Sequence, residues 1–362
     1  MLPVMSTNQP SKQDGGIALV TGGTGLLGSH IAEQLVRRDY PVRALCRAGS
    51  DTAFLESIGV EIYPGDLNDV DAIRTAMGGV DAVYHAAARV GDWGPWEDFV
   101  KVTIDGTRNM LNAAEEAGVR RFLHISSISA YGHPNEKGLV LDETAPLGRQ
   151  LYKWSYYSRA KVEAEKHVWA MHEKGRLPVT VIRPSWLYGP RDRATMPRII
   201  DKIRRRKVKL VGDGTNRLNV AHAGNVAEAA IMAVESERSA GEAYNVCHDG
   251  VMTQGQYFNM VAKALGEPEV RSTVPYGVAY NAAFLMECFG HLFKTRNPPL
   301  VTRYAVWLMG RVCFFECKKV KEHLGWEPSV PYEEGVPTAV RDYLGKEEPH
   351  GQSSQKNAAV PA

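Results

Sequence analysis

The sequence predicts an α/β fold: a doubly wound parallel sheet with a smaller, mostly helical lobe. Three observations carry this expectation. Short apolar runs rich in β-branched residues alternate with helical stretches through the first half of the chain. A glycine triplet stands directly between the first such run and the first helical stretch. After about residue 185 the rhythm breaks, then returns for one helix and one strand. Parallel neighbours need crossover connections, and those connections cover both faces of the sheet with helices.

Taken in order, "IALVTG" (17–22) reads as a strand and "LLGSHIAEQLVRRD" (26–39) as a helix. "PVRALCR" (41–47), "VEIYPGD" (60–66), "DAVYHAA" (81–87), "RFLHISS" (121–127) and "VTVIRPS" (179–185) read as further strands. The longest helical pattern between them lies around 98–117. "GNVAEAAIMAVES" (224–236) is expected as a helix and "EAYNVCH" (242–248) as a strand that rejoins the sheet. This gives a sheet domain over 15–190 and 220–248, and a substrate-binding lobe over 191–219 and 249–345. Residues 1–14 read as a flexible tail and 346–362 as a polar, disordered one. No internal repeat is visible.

The bulk numbers exclude several function classes. A chain of 362 residues with 44% apolar residues is long enough for a substantial core. A net charge of +2 offers no broad basic field for nucleic acid. The five cysteines are odd in number, scattered and free of any CxxC, which argues against a disulfide framework or a metal site and fits a reducing compartment. The start of the chain lacks the apolar core of a signal peptide, so the expected location is cytoplasmic. "VPYGVAYNAAFLMECFGHLF" (274–293) is long enough to span a membrane, but Asn281, Glu287 and His291 favour an amphipathic or buried helix. The alternatives are contact with the cytoplasmic face of a membrane, or a large apolar pocket lined by the wider stretch 274–316. The basic run "DKIRRRKVKL" (201–210) reads as a solvated helix end, with anionic headgroups as the alternative.

Two stretches carry chemistry. In "ALVTGGTGLLGSH", Gly22, Gly25 and Gly28 sit at the strand-to-helix turn, with Thr24, Leu26 and Leu27 between them. Glycines there let the backbone approach a pyrophosphate, and the helix N-terminus adds free N–H groups and a positive dipole end. In "SYYSRAK" (155–161), Tyr157 and Lys161 are four apart and share a helix face, whereas Tyr156 has only Ala160 at that spacing. A free phenol has a pKa near about 10. A neighbouring ammonium is expected to lower it. Tyr157 is then suited to exchange a proton with a substrate oxygen.

The GxxGxxG spacing resembles the short-chain dehydrogenase/reductase family, in particular its extended branch. Further pieces match in order over about 15–346: "GDL" (65–67), "HAAA" (85–88), "HISSISAYG" (124–132), "YYSRAK" and "RPSWLYGPRD" (183–192). The resemblance implies a Rossmann sheet and a nicotinamide cofactor. It places Asp66 and Leu67 at the adenine, and Ala86, Ala87 and Pro184 along the cofactor. It also selects Ser127, four before Tyr131 of "AYG", over Ser126 and Ser129 as the hydroxyl that holds the reacting oxygen. Lys161 would also bind the nicotinamide ribose.

Cofactor and substrate follow from departures within that pattern. Where NAD-binding members carry an acid, eighteen residues past Gly28, stands Cys46, and Arg47 follows. A thiol is a poor acceptor for two ribose hydroxyls, and a guanidinium suits a 2′-phosphate. NADP(H) is therefore expected, with NAD(H) as the alternative and Arg47 then stacked on adenine. In "GDGTNRLNVAHAGNVAEA", Leu218 holds the slot where nucleotide-sugar enzymes of this branch place a diphosphate-gripping arginine, Arg217 sits one early, and Gly224-Asn225 replaces an aspartate pair. "GNVA" and the region beginning "NPPLVTRYAVWLMG" resemble the 3β-hydroxysteroid and sterol-4-carboxylate 3-dehydrogenase group.

That likeness implies an oxidoreductase acting on a sterol-like or long-chain 3-hydroxy/3-oxo substrate. The alternative is a nucleotide-sugar 4-epimerase or dehydratase that retains its cofactor. A non-catalytic redox sensor has no need of Ser127, Tyr157 and Lys161 together. Trp93, Trp96 and Trp186 are expected to border an apolar small-molecule substrate, with packing beneath their loops as the alternative. A homodimer through paired helices is a further implication of the resemblance.

Overall fold

The computed structural model describes residues 16–351 apart from Asp92, Lys137, Arg296, Arg311 and Val312. The expected tail over 1–14 and most of the one over 346–362 lie outside the described residues. One boundary moves. The last helix, Tyr332–Gly351, carries the backbone past residue 345, through a Lys-Glu-Glu run of good helix formers.

Seven parallel strands form the central sheet: β1 (Ile17–Thr21), β2 (Val42–Cys46), β3 (Glu61–Pro64), β4 (Val80–His85), β5 (Arg121–Ile125), β6 (Val179–Pro184) and β7 (Glu242–Val246). Their order is β7-β6-β5-β4-β1-β2-β3. Val20 stands opposite both Ala44 and Tyr84, and Asn245 opposite Arg183, with one register shift between β1 and β4 at Ile17/Ala18. Every residue of β5 and β6 is buried, so the apolar runs are continuous rather than alternating, as a sheet covered on both faces requires. The chain turns outward from β1 to β3 and then crosses back to β4. That reversal opens a crevice at the carboxyl ends of β1 and β4, where ligands bind in such sheets.

The larger helices are α1 (Leu26–Arg37), α2 (Gly106–Glu116), α3 (Tyr156–Glu173), α4 (Met196–Arg204), α5 (Ala223–Glu235), α6 (Gln254–Ala264), α7 (Tyr276–Leu292), α8 (Arg303–Gly310) and α9 (Tyr332–Gly351). A π-helical turn, Val100–Asp105, precedes α2 within the longest expected helical pattern. On one face of the sheet α1 and α5 share a core, with Ile31 and Leu35 in the same cluster as Val226 and Ala230. The lobe has its own core, in which Met196, Ile200 and Ile203 of α4 join Tyr257 and Val261 of α6 and Val336 and Val340 of α9. Leu218 lies in that core at 2% exposure.

Asn225 ties lobe to sheet domain. Its Nδ2 donates to Asp249 Oδ1 at 2.8 Å and to the Val330 carbonyl at 2.9 Å. Its Oδ1 accepts the Val330 N–H at 2.9 Å, and its carbonyl accepts Trp326 Nε1 at 3.1 Å. The Gly-Asn pair thus performs a structural task. The basic run after α4 is a solvated helix end, with Arg204, Arg205, Arg206 and Lys207 exposed and Arg205 paired to Asp201 at 2.7 Å. Helix α7 buries Ala283, Glu287 and Gly290 and leaves Val278, Leu285, Phe289 and Leu292 exposed. Among the described residues no helix is long and apolar enough to cross a membrane.

A buried polar network braces β5, β6 and α3. Arg183 bonds Glu165 through Nε at 3.1 Å and the Tyr131 hydroxyl through Nη1 at 2.7 Å. Ser126 Oγ donates to Glu165 at 2.5 Å, and the Tyr131 hydroxyl donates to Asn245 Oδ1 at 2.8 Å. Arg183 is 5% exposed and Glu165 not at all. Removing one partner leaves an uncompensated buried charge. Glu165→Ala should therefore lower unfolding stability by about 3–5 kcal/mol in denaturant titration. A loss below about 1 kcal/mol would contradict this role.

Candidate active site

The site begins where β1 meets α1. Gly22 adopts a left-handed φ of 70°, and a Cβ there would lie 2.8 Å from the Ala87 nitrogen. At Gly28 a Cβ would come within 2.2 Å of the Gly22 carbonyl oxygen. Only glycine permits this approach of the helix to the strand end. Gly25 stands at the N-cap of α1 with no side chain capping the first turn. An uncapped turn with no acidic residue in it is suited to anionic phosphate. The donor set and the space left by the missing Cβ atoms fit a dinucleotide.

A cavity of ≈ 560 Å³ opens in front of this turn. Gly22, Thr24, Gly25, Leu26, Leu27 and Gly28 are on its lining, together with Ala86, Ser127, Tyr157, Lys161, Pro184 and Trp186. Residues 137 positions apart in the chain are thus gathered on one wall by the parallel sheet, from Thr24 to Lys161. Ala87 lies just behind the lining, against Gly22. Its N–H donates to Thr21 Oγ1 at 3.2 Å.

Helix α3 presents Tyr157 and Lys161 to the cavity, while Tyr156 turns away to pack on Trp96 with ring centroids 5.6 Å apart. Lys161 Nζ donates to the Ile125 carbonyl at 2.7 Å and stands 6.0 Å from the Tyr157 ring centre. Burial pulls its pKa down to about 8, against the opposing charge of Glu165 one turn along α3. Ser127 Oγ accepts the Ser129 N–H at 3.1 Å and is hydrogen-bonded to the Tyr157 hydroxyl. Ser126 is committed to Glu165.

The expectation for the phenol is corrected here. Burial raises the Tyr157 pKa above its ordinary value, and the Ser127 hydrogen bond opposes this only in part. The desolvation of the buried phenol outweighs the stabilisation that the spacing to Lys161 led one to expect. In this state Tyr157 holds its proton and is poised to give it to a substrate oxygen. Beneath Lys161 lie two neutral imidazoles. Burial, with Lys161 second, brings His85 down to about 3, and burial also depresses His124. His85 Nε2 bonds Thr107 Oγ1 at 3.0 Å, and that hydroxyl donates to the Thr103 carbonyl at 2.6 Å. His85 therefore carries its proton on Nε2 and accepts at Nδ1 from Thr21 Oγ1, 2.8 Å away.

Other expected residues fall elsewhere. Arg47 is exposed at the end of β2, and it faces Asp66. Burial would raise the Asp66 carboxyl, but hydrogen bonds from Asn68 and the charges of Arg47 and Lys101 hold it below its usual range. Leu67 is buried in the core beside Met110, away from the cavity. Trp93 and Trp96 are not on the lining. Trp93 Nε1 donates to the Thr295 carbonyl at 3.0 Å and its ring lies 4.4 Å from that of His291. Trp96 receives the Arg159 guanidinium at 4.6 Å.

The cavity also recruits residues that sequence reasoning missed. Val90, Leu187, Tyr304, Leu308 and Met309 add an apolar wall, and Arg191, Asp192 and Arg193 add a polar rim. The "GPRD" at the end of the quoted "RPSWLYGPRD" (183–192) was the available signal for the rim. Helix α8 lies within the apolar stretch 274–316, for which pocket lining was one of the expectations.

Two outcomes are expected. Gly28→Ala should abolish dinucleotide binding in a fluorescence titration, because its methyl group has no room against Gly22. In ketone reduction, kcat/KM should fall about tenfold per pH unit above pH ~8, as Lys161 loses the proton whose charge would stabilise the Tyr157 phenolate. A profile flat to pH ~10 would contradict that dependence.

Comparison with known proteins agrees with this geometry. Residues 18–247 match the profile described as NAD dependent epimerase/dehydratase family. The chain is 31% identical over 325 residues, 88% of its length and 96% of the relative's, to a 2-alkyl-3-oxoalkanoate reductase of Stenotrophomonas maltophilia (strain K279a). It is 28% identical to a decarboxylating sterol-4-alpha-carboxylate 3-dehydrogenase of Mus musculus, over 90% of each chain. The crystal structure of gox2253 superposes with a TM-score of 0.76 at 30% identity, covering 93% of this chain and 99% of that one. The chain belongs to the NAD-dependent epimerase/dehydratase family and is an oxidoreductase of its extended short-chain type.

Proposed function

We propose that the protein catalyses NADP(H)-dependent hydride transfer at C3 of a 3-oxo or 3-hydroxy acid carrying a large apolar group. The observation that carries this reading is the cavity itself: Tyr157, Ser127 and Lys161 face an apolar wall of Trp186, Leu187, Tyr304, Leu308 and Met309. The names of the relatives add a chemical constraint. A 2-alkyl-3-oxoalkanoate and a sterol-4-carboxylate both place a carboxylate on the carbon beside C3 and hydrocarbon around it. No cation fills the slot for a substrate diphosphate: Leu218 is buried in the lobe, and the Arg217 guanidinium lies 4.9 Å from the Phe314 ring centre.

When bound, the nicotinamide supplies or takes the hydride. Ser127 and Tyr157 hold the substrate oxygen, and Tyr157 gives it a proton during reduction. Lys161 stabilises the phenolate that remains and binds the nicotinamide ribose. The apolar wall excludes water and orients the hydrocarbon. Arg47 pairs with the 2′-phosphate at the end of β2. The exposed apolar side of α7, Leu285, Phe289 and Leu292, supports peripheral contact with the lipid phase in which such substrates dissolve.

Steady-state kinetics test the reading. Tyr157→Phe should lower kcat by about a thousandfold while cofactor binding stays nearly intact. Arg47→Ala should weaken NADPH binding about tenfold more than NADH binding. Leu308→Trp should depress kcat/KM for long-chain 3-oxo acids about tenfold and spare short-chain ones. Equal activity of long and short chains in the unaltered enzyme would remove the apolar substrate from the proposal.

A further inference from the structure

The rim of the cavity holds an ion pair that none of the roles above requires. Arg193 Nη2 donates to Asp51 Oδ2 at 2.8 Å, joining the start of the lobe to the loop after β2. Asp51 uses its other oxygen to accept the Ala53 N–H at 3.3 Å. The loop is folded back by the Ser50 N–H bonding the Arg47 carbonyl at 3.1 Å, which brings Arg47 and Asp51 to the same end of the cleft. That end is where the second strand finishes, and a dinucleotide's adenosine ribose belongs there in doubly wound sheets.

The backbone on either side of Arg193 is fixed. Arg191 has a left-handed φ of 70°, held by its N–H on Asp342 at 2.8 Å, its Nε on Ser29 at 3.0 Å and its Nη2 on Glu33 at 2.6 Å. Asp192 accepts the N–H groups of Ala194, Thr195 and Met196, each at 2.9 Å, and so caps α4. Between these anchors Arg193 can move only as a side chain. It is 56% exposed and Asp51 59%, so their pairing is screened and weak.

Resting on the NADP(H) reading above, we propose that Arg193 determines cofactor choice by exchanging partners: it leaves Asp51 for the 2′-phosphate of a bound NADP(H). A dianionic phosphate beside two guanidinium groups gains charge-assisted hydrogen bonds that one exposed carboxylate cannot match. Asp51 is then the competing element. It holds Arg193 when no phosphate is present, and its charge repels the phosphate. The two members of one ion pair therefore act with opposite sign.

Equilibrium binding of NADPH and NADH, followed by quenching of intrinsic fluorescence, tests this on the full chain. Arg193→Gln should raise the Kd for NADPH about tenfold and leave that for NADH within about twofold. Asp51→Asn should lower the Kd for NADPH about threefold, again without effect on NADH. Both changes lie on the surface and should leave folding intact, which a thermal melt checks. Equal changes for the two nucleotides in either variant would reduce the pair to a structural strap and overturn the exchange. A failure beneath it is separable: unaltered enzyme that binds NADH as tightly as NADPH, with Arg47→Ala indifferent, overturns the NADP(H) reading and this one with it. NADPH preference lost in Arg47→Ala but untouched in Arg193→Gln overturns only the exchange.

Discussion

The first turn of α1 touches the end of β1 so closely that a methyl group at Gly28 would lie 2.2 Å from the Gly22 oxygen. This contact fixes where the helix begins, and with it the direction in which its free N–H groups point. The uncapped turn then faces the crevice created by the reversal between β1 and β4. Every other functional element is placed relative to that crevice. β5 brings Ser127 to its edge, α3 brings Tyr157 and Lys161, and β6 runs out through Pro184 into Trp186.

Burial then sets the charges. Lys161 sits under the cavity with its pKa brought down to about 8, near enough to neutrality to remain mostly charged and yet able to respond. The imidazoles of His85 and His124 beneath it stay neutral, so no second cation competes for the same space. Glu165 works in the opposite direction, favouring the ammonium while anchoring Arg183. The same carboxylate thus links the stability of the β5–β6–α3 bracket to the electrostatics of the site.

Much of this was legible in the sequence because it is local. Strand and helix alternation, the glycine turn and the Tyr157–Lys161 spacing are all properties of short windows, and the seven strands fall where those windows put them. What escaped depends on contacts across long separations. Trp93 meets Thr295, 202 residues away, and so packs rather than lining the cavity. Arg193 meets Asp51 across 142 residues. The direction of the Tyr157 shift also escaped. A four-residue spacing shows that an ammonium is near, but it does not show how deeply the phenol is buried. Asn225 looked like a substrate-class marker and is also a structural tie, because its partners at Asp249 and Val330 lie far along the chain.

The most direct measurement is to follow deuterium from the C4 position of deuterated NADPH while the enzyme turns over a long-chain 2-alkyl-3-oxo acid. The account predicts one deuterium at C3 of the product for each cofactor oxidised, with the reduced-nicotinamide absorbance falling in step. The contrary result is no net oxidation with any 3-oxo acid or sterol, together with interconversion of a UDP-sugar at constant absorbance. That outcome would mean that the cofactor is recycled in place, and that the apolar wall serves some purpose other than holding the substrate.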